Sequence, residues 1–125
     1  MARGGRRAGA YWEEQAASFL RAQGLKPLYR NFSCRFGEID LIMEDQTVLV
    51  FVEVKYRKDS RHGSGTDAVT RPKQGKISRT AAWFLANHPH RAEQTCRFDV
   101  ISIGKDKGGQ DVTWIRSAFE ANTGQ

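Results

Sequence analysis

Long apolar runs are missing from this chain. The longest, Val48 to Val52, is far too short to span a bilayer, so no membrane partner is expected. No apolar stretch follows the basic N-terminus, so no secretory signal is expected and the cytoplasm is the expected compartment. Cysteine is down to two residues, Cys34 and Cys96, outside any CxxC pair and with no histidine at ligand spacing. That argues against a zinc site. Both thiols fall in stretches that read as strand, where cysteine serves as a small buried hydrophobe, and a reducing compartment disfavours a disulfide. Acidic side chains are the minority charge, 14 against 20 Lys and Arg, which leaves a formal charge of +6. A basic domain of this size points first to a polyanion, usually nucleic acid. A merely solvated basic surface is the alternative.

What is present suffices for one domain. The 125 residues are 39% hydrophobic, enough for a core. Residues 1–8 are Arg, Gly and Ala without periodicity and read as a basic flexible arm, usable for phosphate contact. The folded unit is expected over 9–121, with a short flexible tail at 122–125. Trp12, Ala16, Phe19 and Leu20 recur at helical spacing, so a helix is expected from Tyr11 to Gln23, stopped by Gly24. Glu13 lies beside that stripe near the helix start, where an acid also suits the helix electrostatically. A first strand is expected over Leu25–Phe32. In the next, Ile39, Leu41 and Met43 alternate with Asp40 and Ile42. The near-continuous apolar run into Val48–Lys55 marks a central strand covered on both sides. Residues 56–69 read as a mobile basic loop carrying Arg57, Lys58 and Arg61. A second helix is expected from Arg71 to Asn87, capped by Thr70, with Pro72 in its first turn. Ile77, Ala81, Phe84 and Leu85 form its buried stripe, and Arg71, Lys73, Lys76 and Arg79 crowd its first half. Strands at Arg97–Ile103 and Asp111–Ile115 follow, and then a short helical tail around Ser117–Ala121. The order is α-β-β-β-α-β-β.

The chemistry concentrates on the hairpin Gly37-Glu38-Ile39-Asp40-Leu41-Ile42 and Phe51-Val52-Glu53-Val54-Lys55. A two-residue turn at Gln46-Thr47 sets Asp40 opposite Glu53. A turn one residue earlier leaves them diagonal on the same face. Two carboxylates there repel one another and call for a cation. Oxygen-only ligands suit Mg²⁺ or Mn²⁺, and Lys55 projects from the same face as Glu53. Metal-dependent phosphodiester hydrolysis is the reaction class that fits. The bland alternative is a surface Glu53–Lys55 ion pair. Glu38 is read as facing away from Asp40, as a structural ion pair near the strand start, and takes no metal role.

An aspartate followed about 12 residues later by Glu-x-Lys, preceded by a helix carrying Glu, resembles the core of the PD-(D/E)-x-K nuclease superfamily. More closely, the chain resembles the YraN family of small bacterial proteins. The matching segments are Trp12-Glu13, Gly24-Leu25, Gly37 to Ile42, Phe51 to Lys55 with Arg57, Ala68-Val69-Thr70 with Lys73, Cys96 to Val100, and Trp114-Ile115. The resemblance implies a restriction endonuclease-like α/β fold with a central mixed sheet flanked by helices. It implies Asp40 and Glu53 as metal ligands, Lys55 as catalytic lysine, and Glu13 as the helix-borne acid completing the site. Lys73 would contact DNA phosphate, with Arg57, Lys58, Arg61, Arg71 and Lys76 as further nucleic-acid contacts. Ile39 stands where the superfamily name has proline. By analogy with junction resolvases a homodimer is expected. A non-catalytic nucleic-acid-binding module, or a subunit of a DNA repair complex, is the alternative to an enzyme.

Overall fold

Two amphipathic helices and one strand apolar on both sides can bury their surfaces only as three layers. The computed structural model, which describes residues 2–57, 69–106 and 108–121, has that arrangement. Its elements are α1 (Ala2–Ala22), β1 (Lys26–Cys34), β2 (Gly37–Asp45), β3 (Val48–Arg57), α2 (Arg71–Ala86), β4 (Cys96–Asp106) and β5 (Gly109–Phe119), with a 3-10 turn at Pro89–Arg91 before β4. The strands lie in the order β1-β2-β3-β4-β5. β3 and β4 are parallel and every other pair is antiparallel, so the sheet is mixed. This is the expected α-β-β-β-α-β-β order of a restriction endonuclease-like fold. α2 is the crossover that a parallel β3–β4 pair requires.

The core has two halves, one on each side of the sheet. Ala16, Ala17 and Leu20 of α1 meet Leu41, Met43, Val50, Val52, Ile101 and Ile103, with Trp12 and Phe19 at the margin. Ile77, Ala81 and Phe84 of α2 meet Ile39, Ile42, Leu49, Phe51 and Phe98. β3 alternates between the two, which is why its apolar run is nearly unbroken. Gly24, at φ +99°, turns the chain out of α1, and the Leu25 N–H returns to the Leu20 carbonyl at 3.0 Å. Thr70 caps α2 by accepting the Lys73 N–H.

Several boundaries differ from the sequence reading. α1 starts at Ala2, not Tyr11, so the stretch read as an arm continues the helix. Once the Trp12–Leu20 stripe is anchored, each further residue needs no new nucleus; Ala and Arg propagate well, against the cost of Gly4, Gly5 and Gly9. β3 runs on through Tyr56 and Arg57, so the loop is shorter than expected. Its residues 58–68, like the tail at 122–125, lie outside the described residues. The helical tail at Ser117–Ala121 is not formed, because β5 extends to Phe119. Asp99 explains that extension. Its buried carboxylate accepts hydrogen bonds from Arg97 Nε, Trp114 Nε1 and the Ser117 N–H. The register jumps there, from Val100↔Ile115 to Phe98↔Phe119. Ser117 takes φ +49° to make the bulge, and Phe119 then stacks on Phe98 at 5.0 Å.

Candidate active site

The turn at Gln46-Thr47 decides the site. Gln46 adopts φ +58° and Asp45 pairs with Val48, which fixes the register through to Leu41↔Val52. One residue further on each strand stand Asp40 and Glu53, in the directly opposed alternative. On the other side of β2, pairing runs Arg30↔Leu41 and then Phe32↔Ile39, so Asn31 falls opposite Asp40. Asn31, Asp40 and Glu53 therefore make one row across three strands.

Strict alternation fails at this row, on two strands together. Leu41 belongs to the α1 half of the core, yet Ile39, two residues away, belongs to the α2 half. Arg30 reaches Glu14 of α1 at 2.8 Å, whereas Phe32 packs in the α2 half. Asn31, at φ +55°, absorbs the reversal on β1. Asn tolerates that left-handed conformation better than most residues. Asp40 absorbs it on β2, and its Oδ2 accepts the Val54 N–H at 2.8 Å. The carboxylate thus occupies the place of a ladder carbonyl, close to the sheet plane, where β2 leaves β3. Acids from both faces can meet there.

They do so electrostatically. Asp40 is pushed up to about 8, first by burial and then by Glu53, against the opposing bond from Val54, with Glu13 and Glu38 adding to the rise. Glu13 is also raised, chiefly by burial. A hydrogen bond from the Asn31 side chain and the charge of Arg30 oppose that, and Glu38 and Glu53 reinforce it. Glu13 Oε1 is buried with no hydrogen-bond partner. Glu53 pairs with Lys73 Nζ at 3.2 Å and keeps only 12% of its side chain exposed. Glu53 and Lys55 line a cleft of about 180 Å³ with Val69, Thr70 and Lys73. Among the described residues, no three acid, histidine or cysteine side chains converge closely enough to hold a metal ion by themselves.

The fold brings together Glu13, Asp40, Glu53, Lys55 and Lys73. Arg71 and Lys76 are exposed on the first half of α2, and neither lines the cleft. Lys58 and Arg61 lie outside the described residues. Arg57 must be corrected: its side chain is 4% exposed. It donates to Ser102 Oγ at 2.6 Å and to the Asp111 carbonyl at 3.0 Å, so it ties β3 to β4 and β5 and does not face a ligand. An arginine ending a central strand folds back over its neighbours once the strand outlasts the expected loop. Glu38 is the acid the sequence reading set aside: two residues before Asp40, alternation itself would keep it on that residue's face, and its charge raises both Asp40 and Glu13. Asn31 is the other missed residue, and its position after an arginine in a strand gave no signal of a role.

No helix among the described residues is long and apolar enough to cross a membrane. A family model described as "Uncharacterised protein family UPF0102" matches residues 12–103, a span that includes every acid of this row and both helices' contacts to it. The chain is 41% identical over 111 residues to a UPF0102 protein of Nitrosococcus oceani, covering 89% of this chain and 90% of that one. It is 43% identical over 115 residues to a UPF0102 protein of Vibrio cholerae, covering 91% and 93%. A relative from Saccharophagus degradans is 47% identical over 114 residues, again covering 91% and 93%. With a model match over most of its length and relatives aligned almost end to end, the chain belongs to the UPF0102 family, the YraN family that its Gly37–Ile42 and Phe51–Lys55 segments resemble.

Proposed function

We propose that this protein is a metal-dependent endonuclease that hydrolyses DNA phosphodiester bonds, on single-stranded or branched substrates. The observation that carries this reading is the row at the open end of the hairpin. Asp40 and Glu53 repel one another there, beside a buried and unpartnered oxygen of Glu13. Burial and repulsion both destabilise a fold, and a divalent cation offsets both. The donors are oxygens only, which suits Mg²⁺ or Mn²⁺. Mg²⁺ is commonly held by one or two carboxylates, with water and substrate phosphate completing its shell, so two protein ligands suffice.

Asp40 and Glu53 are the residues that would hold the ion. When bound, it would supply Lewis acidity toward a phosphoryl oxygen and toward water. The Val54 N–H fixes the Asp40 carboxyl group, so its geometry does not depend on a ligand. Lys55 and Lys73 line the cleft and bring positive charge to a phosphate lying in it. Glu13, raised by burial, holds its proton to higher pH than an ordinary glutamate and can hydrogen-bond a water at the site.

The test is incubation with single-stranded, branched and duplex DNA plus Mg²⁺ or Mn²⁺, beside an Asp40→Ala, Glu53→Ala double variant. The wild type is expected to cut at least one substrate, and the double variant to bind without cutting. The Lys73–Glu53 ion pair supports a second reading, a non-catalytic DNA-binding module in which the lysine permanently satisfies the carboxylate. No cleavage of any substrate, with binding unchanged in the double variant, would sink the enzyme reading in favour of that one.

A further inference from the structure

On the α1 side of the sheet, and unused by the acidic row, stands an aromatic stack. Trp12 precedes Glu13 on α1, and Tyr56 follows Lys55 on β3. Their rings stack at 4.3 Å between centroids with 16° between planes. Tyr11 meets the Trp12 ring edge-on at 4.7 Å. Lys105 Nζ lies 5.8 Å from the Trp12 ring centroid, and the Tyr11 hydroxyl accepts from Gln110 Nε2 at 3.3 Å. The group is ordered by these contacts yet open to solvent: Tyr11 is 46% exposed and Tyr56 42%. Large aromatics held half-exposed on a cationic domain cost hydration free energy without closing the core, because Trp12 alone packs against the α1 half.

We infer that the Tyr56–Trp12 stack, rimmed by Tyr11 and Lys105, is a platform for an unpaired DNA base on the α1 side of the sheet. The choice of ligand rests on the DNA-cleaving function proposed above; the platform itself rests on the ring geometry. Ring chemistry and charge both favour it. Every base has a π-face that continues such a stack, and a nearby cation adds to the attraction. The chain carries a formal charge of +6, which favours a polyanionic strand. The stack lies on the α1 side of the sheet, where Trp12 packs, whereas Lys55 and its cleft face α2, because neighbouring residues of a strand point to opposite faces. A base inside a duplex is already stacked on both faces, so the platform selects unpaired nucleotides.

The experiment measures binding, without divalent metal, of a labelled single-stranded oligonucleotide and of an abasic oligonucleotide of the same length, at one salt concentration. The wild type is expected to favour the base-bearing strand by about 5- to 100-fold, the range for stacking one base on an aromatic side chain. Tyr56→Leu should bind both strands equally, at the wild type's abasic affinity, and Tyr56→Trp should keep the preference. Equal binding of both strands by the wild type would overturn the platform without any variant, so a misfolded Tyr56→Leu cannot shelter it. A full preference retained by folded Tyr56→Leu would overturn it equally. Because nothing is cut in this assay, base preference through Tyr56 in a protein that never cleaves DNA would fell the nuclease reading and leave the platform. Cleavage by a protein with no base preference would do the reverse.

Discussion

Asp40 is held against its own charge. The carboxylate sits beside Glu53 in a half-buried row, and the folded chain prefers it protonated up to about pH 8, against 3.8 for the ordinary side chain. The folded state therefore binds more protons than the unfolded one between those values. Stability must fall as pH rises from about 4 to about 8. Glu13 is raised in the same direction and adds to the loss. Asp40→Asn removes the charge and keeps an oxygen for the Val54 N–H. It is expected to raise unfolding stability at pH 8, without metal, by about 1–3 kcal/mol, and to flatten the pH dependence. Urea unfolding of both proteins at pH 5 and pH 8 reads this directly; a variant less stable than wild type at pH 8 would show that the buried charge is not strained. Lys73 bears on the same row from the other side. It is half-exposed, so its ion pair with Glu53 adds little stability. As a cation already on Glu53 it competes with a metal, and Lys73→Ala should tighten Mn²⁺ binding several-fold in calorimetry while shifting stability by under about 1 kcal/mol.

At the scale of elements, the site depends on how α2 rests on the start of β2. Gly37 has φ +151°, and a Cβ there would lie 3.3 Å from Thr80 Oγ1 and 3.5 Å from Lys76 Cβ. The glycine of the Gly37–Ile42 segment is thus both a backbone conformation and a helix contact. Gly37→Ala is expected to cost about 1–2 kcal/mol in thermal unfolding. It should also push the first half of α2, and Lys73 with it, away from Glu53. The helices and the hairpin were legible because each rests on local patterns: the Trp12–Leu20 and Ile77–Phe84 stripes, the Thr70 cap, and a two-residue turn through Gln46 whose two registers both keep Asp40 and Glu53 on one face. Asp40 and Glu53 could therefore be placed together from the sequence. The reversal of faces at Asn31 and Asp40 was not legible, because it belongs to two strands acting together and leaves period-two alternation intact on either side. The run of β5 through Ser117 was hidden for a similar reason: its cause is the buried carboxylate of Asp99, distant in sequence.

Across the whole molecule, the positive charges sort into two kinds that composition cannot separate. Arg57 is inside, joining β3 to Ser102 and Asp111. Lys76 is outside, exposed on the first half of α2. A cation that meets phosphate releases counterions and steepens the salt dependence of binding, whereas an internal one supports the fold. Lys76→Gln is therefore expected to reduce the slope of log affinity against log salt by about 0.7 on single-stranded DNA, with unfolding stability unchanged within about 0.5 kcal/mol. Arg57→Gln should leave the slope as it is and cost about 2–4 kcal/mol, because Ser102 and Asp111 lose a buried charged donor. Anisotropy titrations at several salt concentrations, paired with urea unfolding, put both variants on the same two axes. If Arg57→Gln lowered the slope and spared the fold, the sheet would not need its arginine and the charge would belong to the DNA face after all. If neither variant moved the slope, the surface at Lys76 would not be where the strand runs, and the cations of the acidic site would have to carry the contact alone.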